Sequence, residues 1–149
     1  MEKIKTALKI LLVEDNPADV KLFEKSIGSS RFEVKLRVAQ DGEEALRVLS
    51  HSSFEGKEDP DLILLDLNLP KIDGQEVLAR VKAHRGLKHI PVLIFTGSTN
   101  PQEFELAKEN HADDYITKPI EVRDYANMVK RIEDFWLHYK GGSGLNFQN

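Results

Sequence analysis

Asp66 stands after an unbroken apolar run, Leu62-Ile63-Leu64-Leu65, and before Leu67-Asn68-Leu69-Pro70. A run that apolar reads as a strand buried on both faces, as in parallel sheets. An ionised carboxylate inside such a core is very costly unless paired or metal-bound. At the carboxyl end of the strand it meets ligand and solvent instead. Polar residues close the other apolar runs in the same way. Glu14-Asp15 follows Leu8-Lys9-Ile10-Leu11-Leu12-Val13, Thr96 follows Pro91-Val92-Leu93-Ile94-Phe95, and Lys118 follows Tyr115-Ile116-Thr117. Carboxylates gathered in one cleft stay ionised together only when a cation joins them. The donors on offer are oxygens, since the chain has no cysteine and no histidine at these strand ends. Such a set favours Mg²⁺, which keeps several waters and shares its shell with phosphate. Asn68, just past Asp66, can add its main-chain oxygen. By formal count Glu14, Asp15 and Asp66 are balanced by Mg²⁺ and Lys118. A site of that kind can take up a phosphoryl group, its charge stabilised by the metal and Lys118. Asp66 is the nucleophile of choice, forming an aspartyl phosphate, because Glu14 and Asp15 lie adjacent as a metal-binding pair. Thr96 can donate its hydroxyl to the phosphoryl oxygens and draw its loop inward. Tyr115 can fill the space left behind, while the small Gly97 keeps access open.

The elements that must position these groups alternate along the chain. The strand at Leu8–Val13 meets Glu14-Asp15-Asn16-Pro17, where Asp15 or Asn16 caps a helix with Pro17 in its first turn. That helix carries Val20, Leu22, Phe23 and Ile27 and stops at Gly28. Phe32 to Val38 alternates as an edge strand. Asp41-Gly42 opens a second helix with Ala45, Leu46 and Leu49 inward, and His51 to Pro60 is polar and irregular. After the Leu62–Leu65 strand, Gly74 opens a helix with Val77, Leu78 and Val81. Pro91–Phe95 is a strand, Pro101–Glu109 a polar helix, Tyr115–Thr117 a short strand, and the last helix runs from about Glu121 to Tyr139. Five strands alternating with five helices require parallel strands joined by helical crossovers. The fold class is α/β: a doubly wound, five-stranded parallel sheet. In such sheets ligands sit at the carboxyl ends of the strands, where Glu14, Asp15, Asp66, Thr96 and Lys118 fall.

Taken alone, each residue has an ordinary explanation. Glu14-Asp15 suits a helix N-terminus, Thr96 a strand end, Lys118 a wet surface and Tyr115 core packing. Their coincidence at separate strand ends carries the argument. His51, His84, His89, His111 and His138 show no ligand spacing and read as surface residues. Asp59-Pro60-Asp61, at the opposite end of the central strand, reads as a turn and solubility feature.

Composition sets the remaining bounds. A chain of 149 residues fits one domain. Its net charge of −4 argues against non-specific nucleic-acid binding. No stretch approaches a membrane span and the start is no secretory signal, so the expected location is cytoplasmic. Residues 1–7 read as an N-terminal extension, 8–139 as the domain, and 140–149, with Gly141-Gly142-Ser143-Gly144, as a flexible appended linker.

This combination of residues resembles the receiver domain of two-component response regulators. The matching residues are Glu14-Asp15, Asp66 with Asn68, Pro70 and Asp73-Gly74, Thr96, Tyr115 and Lys118-Pro119, and the similarity covers roughly Leu8 to Tyr139. The resemblance implies a flavodoxin-like strand order 2-1-3-4-5. It also implies Asp66 as phosphoacceptor, and Glu14, Asp15, Asp66 and the Asn68 main-chain oxygen as Mg²⁺ ligands. Thr96 and Tyr115 would be the switch pair and Lys118 the phosphate partner. Asn68 and Ser98 lie where side chains can tune the hydrolytic water. The implied donor is a histidine kinase. Asn68-Leu69-Pro70 and the ending Ile132-Glu133-Asp134-Phe135-Trp136-Leu137 are similar to stand-alone regulators that partner bacterial phytochrome kinases.

The last helix carries Val122, Tyr125, Val129, Ile132 and Trp136 on one stripe, which points to the core. Phe135, Leu137 and Tyr139 lie around it. Over about 28 Å the helix outruns a short sheet. Clustered exposed aromatics mark interfaces, so Phe135, Trp136 and Tyr139 are expected in a homodimer or kinase-docking surface. A competing reading is a Mg²⁺-dependent phosphohydrolase working through an aspartyl phosphate. Such enzymes use a second aspartate two residues on as general acid, where this chain has Asn68, and no cap insertion is present. A third is a receiver that only binds, which the complete set of matching residues disfavours. Self-phosphorylation and self-dephosphorylation are the only catalysis expected.

Overall fold

The computed structural model describes residues 4–50 and 59–145. Most of the irregular stretch at 51–58, His51 included, the first residues of the expected extension and the end of the expected tail lie outside them. The elements run β1 (Ile4–Val13), α1 (Pro17–Ser26), β2 (Phe32–Ala39), α2 (Gly42–Ser50), β3 (Leu62–Leu65) and α3 (Gly74–Ala83). They continue with β4 (Val92–Thr96), α4 (Pro101–Glu109), β5 (Asp114–Thr117) and α5 (Tyr125–Leu145). Short 3-10 turns precede β2 and α5, at Ile27–Ser29 and Val122–Asp124.

The strands form one sheet in the order β2-β1-β3-β4-β5, with every neighbouring pair parallel. Both faces are covered, as the apolar runs require. Leu11, Val13, Ile63, Leu65, Val92 and Ile94 point toward α2, α3 and α4. The alternating residues Leu8, Ile10, Leu12, Leu62, Leu64, Leu93 and Phe95 point toward α1 and α5. Fully burying such a side chain contributes about 1.5–3 kcal/mol. β3 buries all of its residues, so its carboxyl end is a firmly held platform.

Local chemistry sets the helix starts. Asn16 caps α1, its side-chain oxygen accepting from the amides of Ala18 and Asp19, with Pro17 next. Asp41 accepts from the Glu44 amide at 2.8 Å, and the Glu44 carboxylate accepts from the Gln40 amide at 2.8 Å, so the two side chains hold the entry to α2. Asp73 caps α3 through the Glu76 amide. α4 buries only Ala107. Gln75 of α3 ties it down, donating to the Glu103 carbonyl at 3.0 Å and accepting from Asn110 at 3.4 Å. α5 buries Tyr125, Met128, Val129 and Ile132. Its buried Glu133 also accepts from Ser30 Oγ at 2.6 Å and Arg31 N–H at 2.8 Å.

Several boundaries differ from expectation. β1 begins at Ile4, so part of the supposed 1–7 extension belongs to the sheet. The cause is β2, which offers Phe32 as a ladder partner for Ile4 across a register irregularity. α5 continues to Leu145, past the expected start of the tail at Lys140, as extending a helix is far easier than nucleating one. Val122 lies in the 3-10 turn and is exposed, off the core stripe. Asp61 is more than a solubility feature. Its amide donates to the Lys9 carbonyl at 2.8 Å and its carboxylate accepts from the Lys9 amide at 2.9 Å, fastening the start of β3 to β1. Phe135 and Trp136 are half-buried and pack against the core on the α1/α5 face. Tyr139 stacks on both, and its hydroxyl donates to the His89 carbonyl at 2.8 Å. The most exposed large apolar side chains are Phe104, Leu106, Ile120, Val122 and Leu137. His84, His89, His111 and His138 are exposed. Among the described residues no helix is long and apolar enough to cross a membrane.

Candidate functional site

Sheet register delivers the acidic residues to one edge. Val13 pairs with Leu65, so Glu14 and Asp66 step off adjacent strands together. The Asp66 amide still donates to the Val13 carbonyl at 3.1 Å, and the Glu14 amide to Ala39 at 2.9 Å. Thr96 pairs with Thr117, and the Lys118 amide donates to the Thr96 carbonyl at 2.8 Å. The ends of β1, β3, β4 and β5 thus bring Glu14, Asp66, Thr96 and Lys118 to one rim.

The loop after β3 is fixed by close approach. A Cβ on Gly74 would lie 2.3 Å from the Asp66 carbonyl oxygen and 2.5 Å from Leu67 Cα. Only glycine lets α3 start this near the strand end, where its amide donates to the Leu67 carbonyl at 3.0 Å. Lys71 takes a left-handed φ of 67° and reaches Asp41 at 3.4 Å, pinning the same loop to α2.

Glu14 is 1% exposed and Asp66 4%, while Asp15 is exposed. One carboxylate oxygen from each lies within 4.8 Å of the others. Asp66 Oδ1 accepts from the Asn68 amide at 3.1 Å, and Oδ2 from Lys118 Nζ at 3.0 Å. Lys118 Nζ also contacts Glu14 Oε1 at 2.6 Å and Asp19 Oδ2 at 2.8 Å. Glu14 Oε1 is buried and meets Lys118 as an ion pair. Burial, helped by the Asp66 charge, raises the Glu14 pKa to about 7 against the pull of Lys118. Burial opposes the Lys118 charge, but Asp19, Glu14 and Asp66 outweigh it and raise the Lys118 pKa. The three-acid cluster, all oxygen donors with one buried carboxylate oxygen lacking a hydrogen bond, fits a hard divalent cation.

The remaining expected residues lie nearby. Thr96 is fully buried, with Oγ1 accepting from the Ser98 amide at 3.2 Å. Ser98 Oγ accepts from the Asn100 amide at 3.2 Å. Tyr115 is half-buried. Its hydroxyl donates to the Ser98 carbonyl at 3.4 Å, and its ring meets Phe104 edge-on at 4.8 Å. Burial, then the charges of Glu103 and Asp66, raise its pKa. Tyr115 therefore touches the loop after Thr96 on one side and α4 on the other. The Asn68 side chain is exposed. Phe135, Trp136 and Tyr139 lie on α5, apart from this cluster.

Sequence reasoning missed Asp19. It sits in the first turn of α1, four residues beyond Asp15. It also changes the charge balance, adding a fourth carboxylate around a single lysine.

The model of the response regulator receiver domain matches residues 10–130. The chain belongs to the response regulator receiver family. As a receiver it is a phosphorylation-controlled signalling switch. Response regulator Rcp1 of Synechocystis sp. is 43% identical over 129 residues, spanning 86% of this chain and 88% of that protein. The solved structure of the phosphorylated cyanobacterial phytochrome response regulator RcpA superimposes with a TM-score of 0.81 at 41% identity, covering 89% of this receiver and 95% of that chain. The Mn²⁺-bound form of Rcp1 gives a TM-score of 0.76 at 41% identity, covering 87% and 94%. The sheet order 2-1-3-4-5 with five helices is the fold expected of a receiver.

Proposed function

We propose that Asp66 is the phosphoacceptor of this receiver, served by Lys118, Thr96 and a Mg²⁺ ion held by Glu14, Asp15, Asp66 and the Asn68 main-chain oxygen. The observation that carries the reading is the convergence of Asp66 and Glu14 on the Lys118 ammonium group, each within 3.0 Å of it at the sheet edge. When bound, the metal supplies positive charge to the transferring phosphoryl oxygens. An Asp66 carboxylate oxygen bonds to phosphorus as the phosphorus–nitrogen bond of a donor histidine breaks and the imidazole leaves. Lys118 offers its N–H donors to the charge on the phosphoryl oxygens. Buried Thr96 turns its hydroxyl from its own loop toward the new group. Tyr115 follows, because its hydroxyl is bonded to Ser98 two residues on.

The output surface lies on α4 and β5, where Phe104, Ala107, Lys108, Ala112, Asp114 and Tyr115 line a groove. Movement of Tyr115 alters that groove, which biases an existing equilibrium of partner-binding states. RcpA is a cyanobacterial phytochrome response regulator, which supports a phytochrome-type histidine kinase as donor. A homodimer through β5 and α5, with Phe135, Trp136 and Tyr139 near the seam, fits the same reading. So do a cytoplasmic location and the absence of direct nucleic-acid binding, given the net charge of −4. Asn68 stands where a phosphohydrolase needs a general acid, so no turnover of free substrates is expected.

The test is incubation with acetyl phosphate and Mg²⁺ followed by intact mass measurement. A gain of one phosphoryl group, lost in Asp66→Asn and without Mg²⁺, is the expected result. A wild type that binds Mg²⁺ but never gains the group overturns the reading.

A further inference from the structure

Asp19 lies outside the Glu14, Asp15 and Asp66 carboxylate cluster. It stands in the first turn of α1, where a negative side chain is favoured by the helix dipole. Its Oδ2 accepts from Lys118 Nζ at 2.8 Å, compared with 3.0 Å from the same nitrogen to Asp66. The Lys118 and Asp19 side chains are 13% and 23% exposed, so solvent screens the pair only in part. An ammonium group has three donors on a flexible stem. Here Glu14, Asp19 and Asp66 share it, at 2.6, 2.8 and 3.0 Å. Asp66 loses its carboxylate charge when a phosphoryl group is attached, and Glu14 faces the metal. Asp19 alone among the three can keep the same charge and the same partner before and after transfer.

We propose that Asp19 is a positioning residue for Lys118, tethering the ammonium group from α1 at the rim of the Asp66 pocket while the phosphoryl group arrives. The inference rests on the reading of Asp66 as acceptor and Lys118 as phosphoryl partner. Donors held in place act on developing charge without first being recruited. Without the tether, Lys118 regains rotamer freedom and spends part of its time away from the position that meets the phosphoryl oxygens.

The experiment is phosphorylation of the full chain by phosphoramidate with Mg²⁺, followed by intact mass over time. Asp19→Asn is expected to slow uptake about tenfold, and Asp19→Glu, which keeps the charge, recovers most of the rate. Mg²⁺ affinity, measured separately by calorimetric titration, stays within about twofold, because Asp19 is not a ligand. In a Lys118→Ala background, Asp19→Asn has no further effect, the signature of two residues acting through one contact. Equal slowing in both backgrounds, an unchanged rate in Asp19→Asn, or a loss of Mg²⁺ affinity parallel to the loss of rate overturns the tether. A wild type that takes up no phosphoryl group overturns the acceptor reading instead, and the tether with it.

Discussion

Replacing Glu14 by glutamine is expected to stabilise the metal-free protein, and to do so more as pH rises. Glu14 is 1% exposed, and its pKa is raised from the ordinary 4.5 to about 7. Burial is the main cause and the neighbouring Asp66 charge adds to it, while Lys118 and the Asn16 amide pull the other way. Between those pH values the folded protein holds more protons at Glu14 than the unfolded chain does. Stability therefore falls as pH rises through this window. Glutamine imitates the protonated acid: its carbonyl oxygen can take the place of Oε1, which lies 2.6 Å from Lys118 Nζ, giving up the bond from the Asn16 amide that Glu14 Oε2 accepts at 3.1 Å. With each pKa unit equivalent to about 1.4 kcal/mol, Glu14→Gln gains about 1 kcal/mol over wild type at about pH 5 and about 3 kcal/mol at about pH 8. For a domain of this size the larger figure corresponds to a rise in Tm on the order of 10 °C. Thermal and urea unfolding in chelator-treated buffer across that range measure it. Adding Mg²⁺ at the upper pH is expected to close part of the gap by stabilising the ionised wild type. A variant no more stable than wild type at high pH, or an advantage that does not grow with pH, refutes the reasoning.

Gly74→Ala would force a Cβ to 2.3 Å from the Asp66 carbonyl oxygen. It should cost about 1–3 kcal/mol in urea unfolding and slow phosphoryl uptake, and wild-type stability would count against the close-approach argument. Substitutions at Asn68 or Ser98 should change the lifetime of the phosphorylated form, followed by intact mass after donor removal, without preventing its formation; equal lifetimes across several substitutions sink the idea. Phe135→Ala with Trp136→Ala should convert a dimer to monomer in light scattering. An unchanged dimer, or a wild type that stays monomeric even when phosphorylated, rules out that seam.

The middle of the sheet was readable because β3 and β4 are apolar runs ending in polar residues. Leu62-Ile63-Leu64-Leu65 reads as a doubly covered strand, and its end located Asp66. Ile4-Lys5-Thr6-Ala7 carries no such run, so the early start of β1 depends on a partner strand that pattern alone does not reveal. Val122 fell on a helical stripe by spacing, yet the chain enters α5 through a 3-10 turn that turns it outward. The aromatics of α5 read as surplus apolar surface, but Phe135 and Trp136 pack on the core and Tyr139 stacks across them. Asp19 carries no motif. Its importance comes from the folding of α1 against the end of β5, a contact spanning most of the chain. With Asp19 counted, the balanced site of the sequence reading holds one further negative charge.

Uneven anchoring gives the molecule a stiff side and a compliant side. α5 is fastened by four buried side chains and by Glu133 gripping the start of β2, whereas α4 is held by Ala107, the Phe104–Tyr115 ring contact and the two hydrogen bonds of Gln75. A hydrogen bond newly made at Thr96 is worth about 1 kcal/mol, enough to compete with the grip on α4 but not with that on α5. On the reading of Asp66 as phosphoacceptor, a small chemical input there is expected to displace α4 and leave α5 as the fixed reference against which a partner can register the change.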